Sequence, residues 1–230
     1  MQCGAPAQLP YTAVFVNTGD PIESENLMEF RLLYQGELLA CTNTKRRPKE
    51  KHAIRKSFHP QLRRLWSLEE NLRDYVYRKS IRVAPGSHTP EERFSIGIQA
   101  IGKDWSRAGF ELVPLVMPEF ALQCSIDILL LRPSGYIFEQ GDIDGQLKTL
   151  IDALRIPDSV GEAGGAVPDT DEHPLFCLLQ DDKLISEVKV TTDRLLLLPQ
   201  EREIKPNDCH AVIHVRLNHR NARTFDNYFG

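Results

Sequence analysis

The chain predicts an α/β (α+β) fold: a mixed sheet with flanking helices, in one domain with an extended N-terminus and one acidic loop insertion. Two patterns and their order predict it. Apolar residues alternate with polar ones in several short runs, as in Ala211, Ile213, Val215 and Leu217. Elsewhere they recur at helical spacing, as in Leu147, Leu150, Ile151 and Leu154. The two patterns follow one another as strand, then helix, then strands, which is the order of a sheet covered by helices.

Residues 1–26 read as weakly structured, and residues 27–230 as the folded domain. "EFRLLYQGELLA" (29–40) reads as two short strands or one bent strand, turning at Gln35-Gly36. Residues 43–64 read as loop then helix, and "LWSLEENLRDYVYRK" (65–79) as a helix, before Pro85 and Gly86 break the chain. "RFSIGIQAIG" (93–102) alternates Phe94, Ile96, Ile98 and Ala100 and predicts a strand. "FELVPLVM" (110–117) and "ALQCSIDILLLRP" (121–133) predict further strands, and residues 144–155 a helix. The Gly-, Pro- and acid-rich stretch 157–174 predicts a mobile loop within an insertion spanning 156–176. "DKLISEVKVTT" (182–192) and "HAVIHVRLN" (210–218) predict the last strands.

Of the 230 residues, 41% are hydrophobic, enough for a substantial core. No apolar run approaches the roughly 18 residues of a membrane span, and no basic-then-apolar leader opens the chain. The expectation is therefore a cytoplasmic protein with no membrane partner. Cys3, Cys41, Cys124, Cys177 and Cys209 are scattered without a CxxC pair, which favours free thiols over a disulfide framework or zinc site. His210 and His214 share the face opposite the apolar stripe of their strand and read, with His219, as surface histidines. P-loop, dinucleotide-binding and nucleophile-elbow motifs are absent.

Charge is unevenly placed. Residues 45–64 hold nine cations and one acid, +8 within a chain of net charge −4, so the remainder carries −12. Lys45, Arg46, Arg47, Lys49, Lys51, Arg55 and Lys56 are candidate contacts to a nucleic-acid backbone, although a solvated charged helix gives the same pattern.

The chemistry concentrates in "GDIDGQLKTLIDAL" (141–154), where Asp142 and Asp144 precede a helix carrying Lys148 and Asp152. Alone, this also describes a capped helix with an i,i+4 ion pair. Asp181 and Asp182, opening the next predicted strand in "LLQDDKLI", supply a second carboxylate pair. If that strand lies beside the one leading into the helix, three or four carboxylates converge. Such a cluster is tolerable around a hard divalent cation, Mg²⁺ or Mn²⁺.

"D-I-D-G-Q-L-K-T-L-I-D-A-L" followed by "D-D-K-L-I" resembles the RusA family of Holliday junction resolvases, through Asp142, Asp144, Lys148, Asp152, Leu154, Asp181, Asp182 and Ile185. The resemblance implies a Mg²⁺-dependent, structure-selective DNA endonuclease that acts as a homodimer on four-way junctions. It implies Asp142, Asp144 and Asp182 as metal ligands, Lys148 as catalytic lysine, Asp181 as a further ligand or orienter, and Asp152 as a partner of Lys148. Gly145 stands where the family carries Asn, and 156–180 exceeds the usual spacing. Those departures leave open a RusA-fold protein that binds DNA or another protein without cutting. "DIDG" also resembles the first motif of haloacid dehalogenase-like phosphatases, but "FEQG" separates Asp142 from the apolar "YI", and Gln146 replaces Thr or Val.

Overall fold

The computed structural model describes residues 28–42, 46–133, 143–196, 205 and 207–219. The expectations for residues 1–26, for Lys45 and for Asp142 lie outside the described residues. The fold is α+β. Strands β1 (Met28–Glu37), β3 (Leu122–Arg132), β5 (Ile185–Arg194) and β6 (Asp208–His219) form a mixed sheet in the order β1-β6-β3-β5. Only β3 and β5 run parallel; the other neighbours are antiparallel. Strands β2 (Leu112–Val116) and β4 (Leu175–Leu179) form a separate parallel pair. Helices α1 (Pro48–Leu68), α2 (Glu70–Val83), α3 (Pro90–Asp104) and α4 (Ile143–Leu154) complete it. No described helix is long and apolar enough to cross a membrane.

Period-two alternation sets one sheet face. Ile126, Ile128 and Leu130 of β3, with Ala211, Ile213, Val215 and Leu217 of β6, are buried in one core with Ile54, Phe58, Leu62 and Trp66 of α1. Each large apolar side chain removed from water contributes about 1.5–3 kcal/mol, so this face dominates the folding energy. β2 and β4 are buried at every position, which is why they read as continuous apolar runs instead of alternating ones. β4 itself was not anticipated.

Three expectations change. Residues 93–102 form part of helix α3, not a strand. Thr89 Oγ1 accepts from Glu92 N and Glu92 Oε2 from Thr89 N, a capping box with Pro90 in the first turn. Ile98, Ile101, Gly97 and Gly102 face inward, a helical set that Phe94-Ile96-Ile98-Ala100 alternation disguised. A Cβ on Gly97 would come within 2.2 Å of Val76 O, so glycine lets α3 lie directly on α2. β5 begins at Ile185, not at Asp182, after a 3-10 turn over Asp182–Leu184, whereas for residues 29–40 the single-strand alternative holds, as β1.

The stretch 157–174 is anchored, not loose. Arg155 donates to Asp158 (2.9 Å) and Glu162 (2.7 Å), and Arg107 to Asp158 (2.7 Å). Asp169 N donates to Glu172 Oε2, Lys56 bonds Asp169, and its Nζ lies 2.9 Å from the buried Glu172 carboxylate. Those contacts push the Lys56 ammonium up to about 12, through Asp169 first and then Glu172. On the same helix, His59 Nδ1 accepts from Phe176 N (2.9 Å), so its other nitrogen donates to Asp171 O (3.0 Å).

That tautomer is neutral, and burial lowers the His59 pKa from its usual 6.5; burial, then Arg55, does the same for His52. An unfolded chain therefore binds protons that the fold refuses once pH falls below about 6.5. The stabilisation is full above that pH and is lost as pH falls toward the lower folded values. Urea unfolding from pH 8 to 5 should show a declining free energy below about pH 6.5, and His59→Gln, which keeps one donor and one acceptor, should flatten the decline.

Gly145, in the first turn of α4, lies under residues 40–41. Cys41 N donates to Gly145 O (2.8 Å), and Thr149 Oγ1 donates to Leu39 O (2.7 Å). A Cβ at 145 would sit 2.7 Å from Cys41 O. Gly145→Asn should cost about 1–3 kcal/mol in urea unfolding by displacing this segment.

Candidate functional site

Helix α4 forms because its apolar stripe buries Leu150, Ala153 and Leu154, leaving Asp144, Lys148 and Asp152 four apart on a neighbouring face. That face forms one wall of a cleft of about 970 Å³. Cys41 and Arg46, with Lys51 and Arg55 of helix α1, line its other side; Ser159 and Glu162 come from the anchored segment, and Asp182 from the turn before β5. The cleft thus gathers Asp144, Lys148, Asp152 and Asp182 among the residues that the sequence singles out.

The gathering has a gradient along α4. Ile156 N donates to Leu179 O (2.9 Å), so the end of α4 extends onto the end of β4. The chain then turns directly into Asp181 and Asp182. β5 runs parallel to β3 from Cys124↔Ile185, so it starts where β3 starts, not where β3 leaves toward α4. Asp182 consequently has Asp181, Arg155 and Asp152 as its charged neighbours. Asp144 stands eight residues back from Asp152, about 12 Å along the helix axis. Among the described residues, no three His, Cys, Asp or Glu side chains are close enough to hold one metal ion.

Electrostatics distinguish the two ends. Asp181 Oδ1 accepts from Lys183 N (2.9 Å), and this backbone bond, against burial, holds its carboxyl below the usual range. Asp182 is raised, first by partial burial and then by its hydrogen bond and repulsion with Asp181. Repulsion within the pair is relieved by any cation that approaches. At the other end, neither Asp144 nor Lys148 has a hydrogen bond or ion pair among the described residues.

Lys148 and Asp152 do not pair. Asp152 Oδ2 accepts from Lys51 Nζ at 2.6 Å, and its Oδ1 lies 3.8 Å from Arg155 Nε. Arg55, only 2% exposed, donates to Arg155 O (2.9 Å) and Asp152 O (2.8 Å), satisfying carbonyls at the end of α4.

Part of the basic run is therefore internal. Lys51 and Arg55 hold α4, and Lys56 holds Asp169 and Glu172. Arg47 meets Glu50 at 3.4 Å. Arg46 and Lys49 are exposed, with no side-chain partner among the described residues. Two contributors escaped sequence reading. Arg155 follows the helix without a motif, and only its i,i+3 spacing from Asp152 hinted at a role; Cys41 carried no signal.

No family model matches the chain, nor does any curated protein or solved structure.

The Lys51 and Asp152 side chains are only 12% and 14% exposed. Lys51→Ala should then cost about 3 kcal/mol in urea unfolding, by stranding Asp152, whereas Arg46→Ala and Lys49→Ala should each change stability by less than about 0.5 kcal/mol.

Proposed function

We infer that the chain is a RusA-like, structure-selective DNA endonuclease hydrolysing phosphodiester bonds in four-way junctions with Mg²⁺ or Mn²⁺. The observation that carries this reading is the shared cleft: Asp144, Lys148 and Asp182, three residues of the resembling motif, line it together. Asp144 and Lys148, without partners among the described residues, leave a carboxylate and an ammonium at one end to meet a ligand. The all-carboxylate donor set suits a hard cation, and the crowding of Asp182 by Asp181 is what such an ion relieves. Because Asp182 stands toward the far end of α4 from Asp144, the residues fit two ions better than one: Asp142 and Asp144 would hold the first, Asp181 and Asp182 the second. A bound ion would supply Lewis acidity and an activated water at neutral pH.

The chain's own groups have separate parts. Lys148, one turn after Asp144, offsets the negative charge of a phosphate and the charge that develops on it during attack. Asp152, taken by Lys51, keeps that helix face in place. Arg46 and Lys49, exposed at the start of α1 and without side-chain partners among the described residues, contact the DNA backbone and so position it without reading sequence. Cys41, Cys124, Cys177 and Cys209 are free thiols, in keeping with a cytoplasmic setting.

A second reading, a binder of DNA or protein that does not cut, is favoured by one observation: Asp182 neighbours Asp152, not Asp144. The phosphatase reading is weakened in the sequence, where "FEQG" separates Asp142 from the apolar "YI" and Gln146 replaces Thr or Val.

A junction-nicking assay decides. The parent should nick a four-way junction with millimolar Mg²⁺ and not with EDTA. Asp144→Asn and Lys148→Ala should each lower the rate at least 100-fold with junction binding retained. Arg46→Ala with Lys49→Ala should weaken binding to all sequences alike, and reduce the salt slope by roughly one unit per lost contact. Binding without nicking selects the second reading.

A further inference from the structure

A second pocket, of about 400 Å³, lies between α1 and the anchored segment. Lys49, His52, Ala53 and Lys56 form its α1 side, and residues 163–166 the other. A Cβ on Gly164 would sit 3.0 Å from Lys49 Cα, so this glycine lets the segment lie close against the helix. Alanines and glycines make most of the wall.

His52 supplies its buried polar point. The side chain is only 5% exposed and its ring packs on Phe110, centroids 5.2 Å apart. A guanidinium can only donate, so Arg55 Nη1, 3.3 Å away, makes Nδ1 the acceptor and leaves the proton on Nε2. That N–H is buried and has no hydrogen-bond partner among the described residues. A buried donor without an acceptor is costly, and the positive charge behind the ring polarises this one toward an anion. Lys49, three residues before His52 and so its neighbour on α1, adds an exposed ammonium without a side-chain partner among the described residues. The acids nearest the ring, Asp169 and Glu172, are both held by Lys56. Three cations, Lys49, Arg55 and Lys56, thus face two acids, which leaves +1 around the pocket.

We propose that this pocket binds a small phosphate ester, its phosphate between His52 Nε2 and Lys49 Nζ and its organic part among the alanines. Lysine serves a phosphate as a point charge, and the diverging phosphate oxygens can meet both donors at once. The volume reaches the lower range of small-molecule sites, roughly 300–1,000 Å³, so it suits an ester better than phosphate alone. A free ester and the 5′-phosphate at a DNA end share this chemistry. The inference does not rest on the nuclease reading, because no residue of the carboxylate motif takes part.

Calorimetric titration of the full chain in EDTA tests it, with no metal or nicking required. Phenyl phosphate should bind with a Kd below about 1 mM, and inorganic phosphate at least tenfold more weakly. Lys49→Ala, at the surface, and His52→Phe, which keeps a flat ring, should each weaken phenyl phosphate at least fivefold. Ala53→Leu, at an exposed helix position, should fill the pocket and abolish binding with an unchanged thermal unfolding curve. Imidazole nitrogen NMR should show the His52 Nε2–H signal moving on titration. If the source is a DNA end, a short oligothymidylate should bind with its 5′-phosphate and not without it, and lose that preference in Lys49→Ala. Failure of both phosphorylated probes to bind overturns the proposal. Binding indifferent to Lys49→Ala and Ala53→Leu overturns it as well.

Discussion

The docking of α1 on α4 is the constraint on which the rest depends. Two cations make it: Lys51 closes on Asp152 at 2.6 Å, and Arg55 reaches the carbonyls of Asp152 and Arg155. A helix end exposes carbonyls that need donors, and a buried guanidinium needs acceptors, so each contact satisfies both sides. Replacing either partner alone leaves a charge or a carbonyl without water, which costs more than the contact itself contributes. The cleft exists because these two helices are held at one distance, with residues 40–41 lying against Gly145.

The same economy of charge explains the acidic segment. Five acids in 157–174 look like a repulsive patch in the sequence. In the fold Asp158 and Glu162 face Arg155, Asp158 also faces Arg107, and Asp169 and Glu172 face Lys56. The segment becomes a wall of the cleft, and its charge is largely cancelled where it stands. The expected surplus of the basic run is correspondingly reduced, among the described residues, to the exposed Arg46 and Lys49 near the start of α1 and Arg63 and Arg64 in its second half.

Gly145 illustrates how a departure from a motif acquires a local reason. Where the resembling family carries an amide side chain, this chain has backbone in contact with backbone, Cys41 N on Gly145 O. The crossing segment occupies the space that a side chain would fill. Whatever orients a substrate at that point must come from elsewhere on the cleft wall, where Arg46 and Lys148 stand without partners among the described residues.

The sequence by itself determined the elements whose periodicity is intrinsic to the backbone. These are β3, β6 and α4, the bare carboxylate–ammonium face of α4, and the α+β class that follows from their order. It misread α3, because Phe94, Ile96, Ile98 and Ala100 satisfy a period of two while Ile98 and Ile101 satisfy a helix, and the deciding Thr89–Glu92 capping box lies upstream. Tertiary structure alone decided which charges are spent. Lys51 and Asp152 are 101 residues apart in the chain, and so their pairing leaves no local trace. It also decided where Asp182 stands, because the parallel register of β3 and β5 aligns strand starts and so delivers Asp182 to the far end of α4. Local spacing fixes which residues share a face; only the packing of distant segments fixes what that face meets.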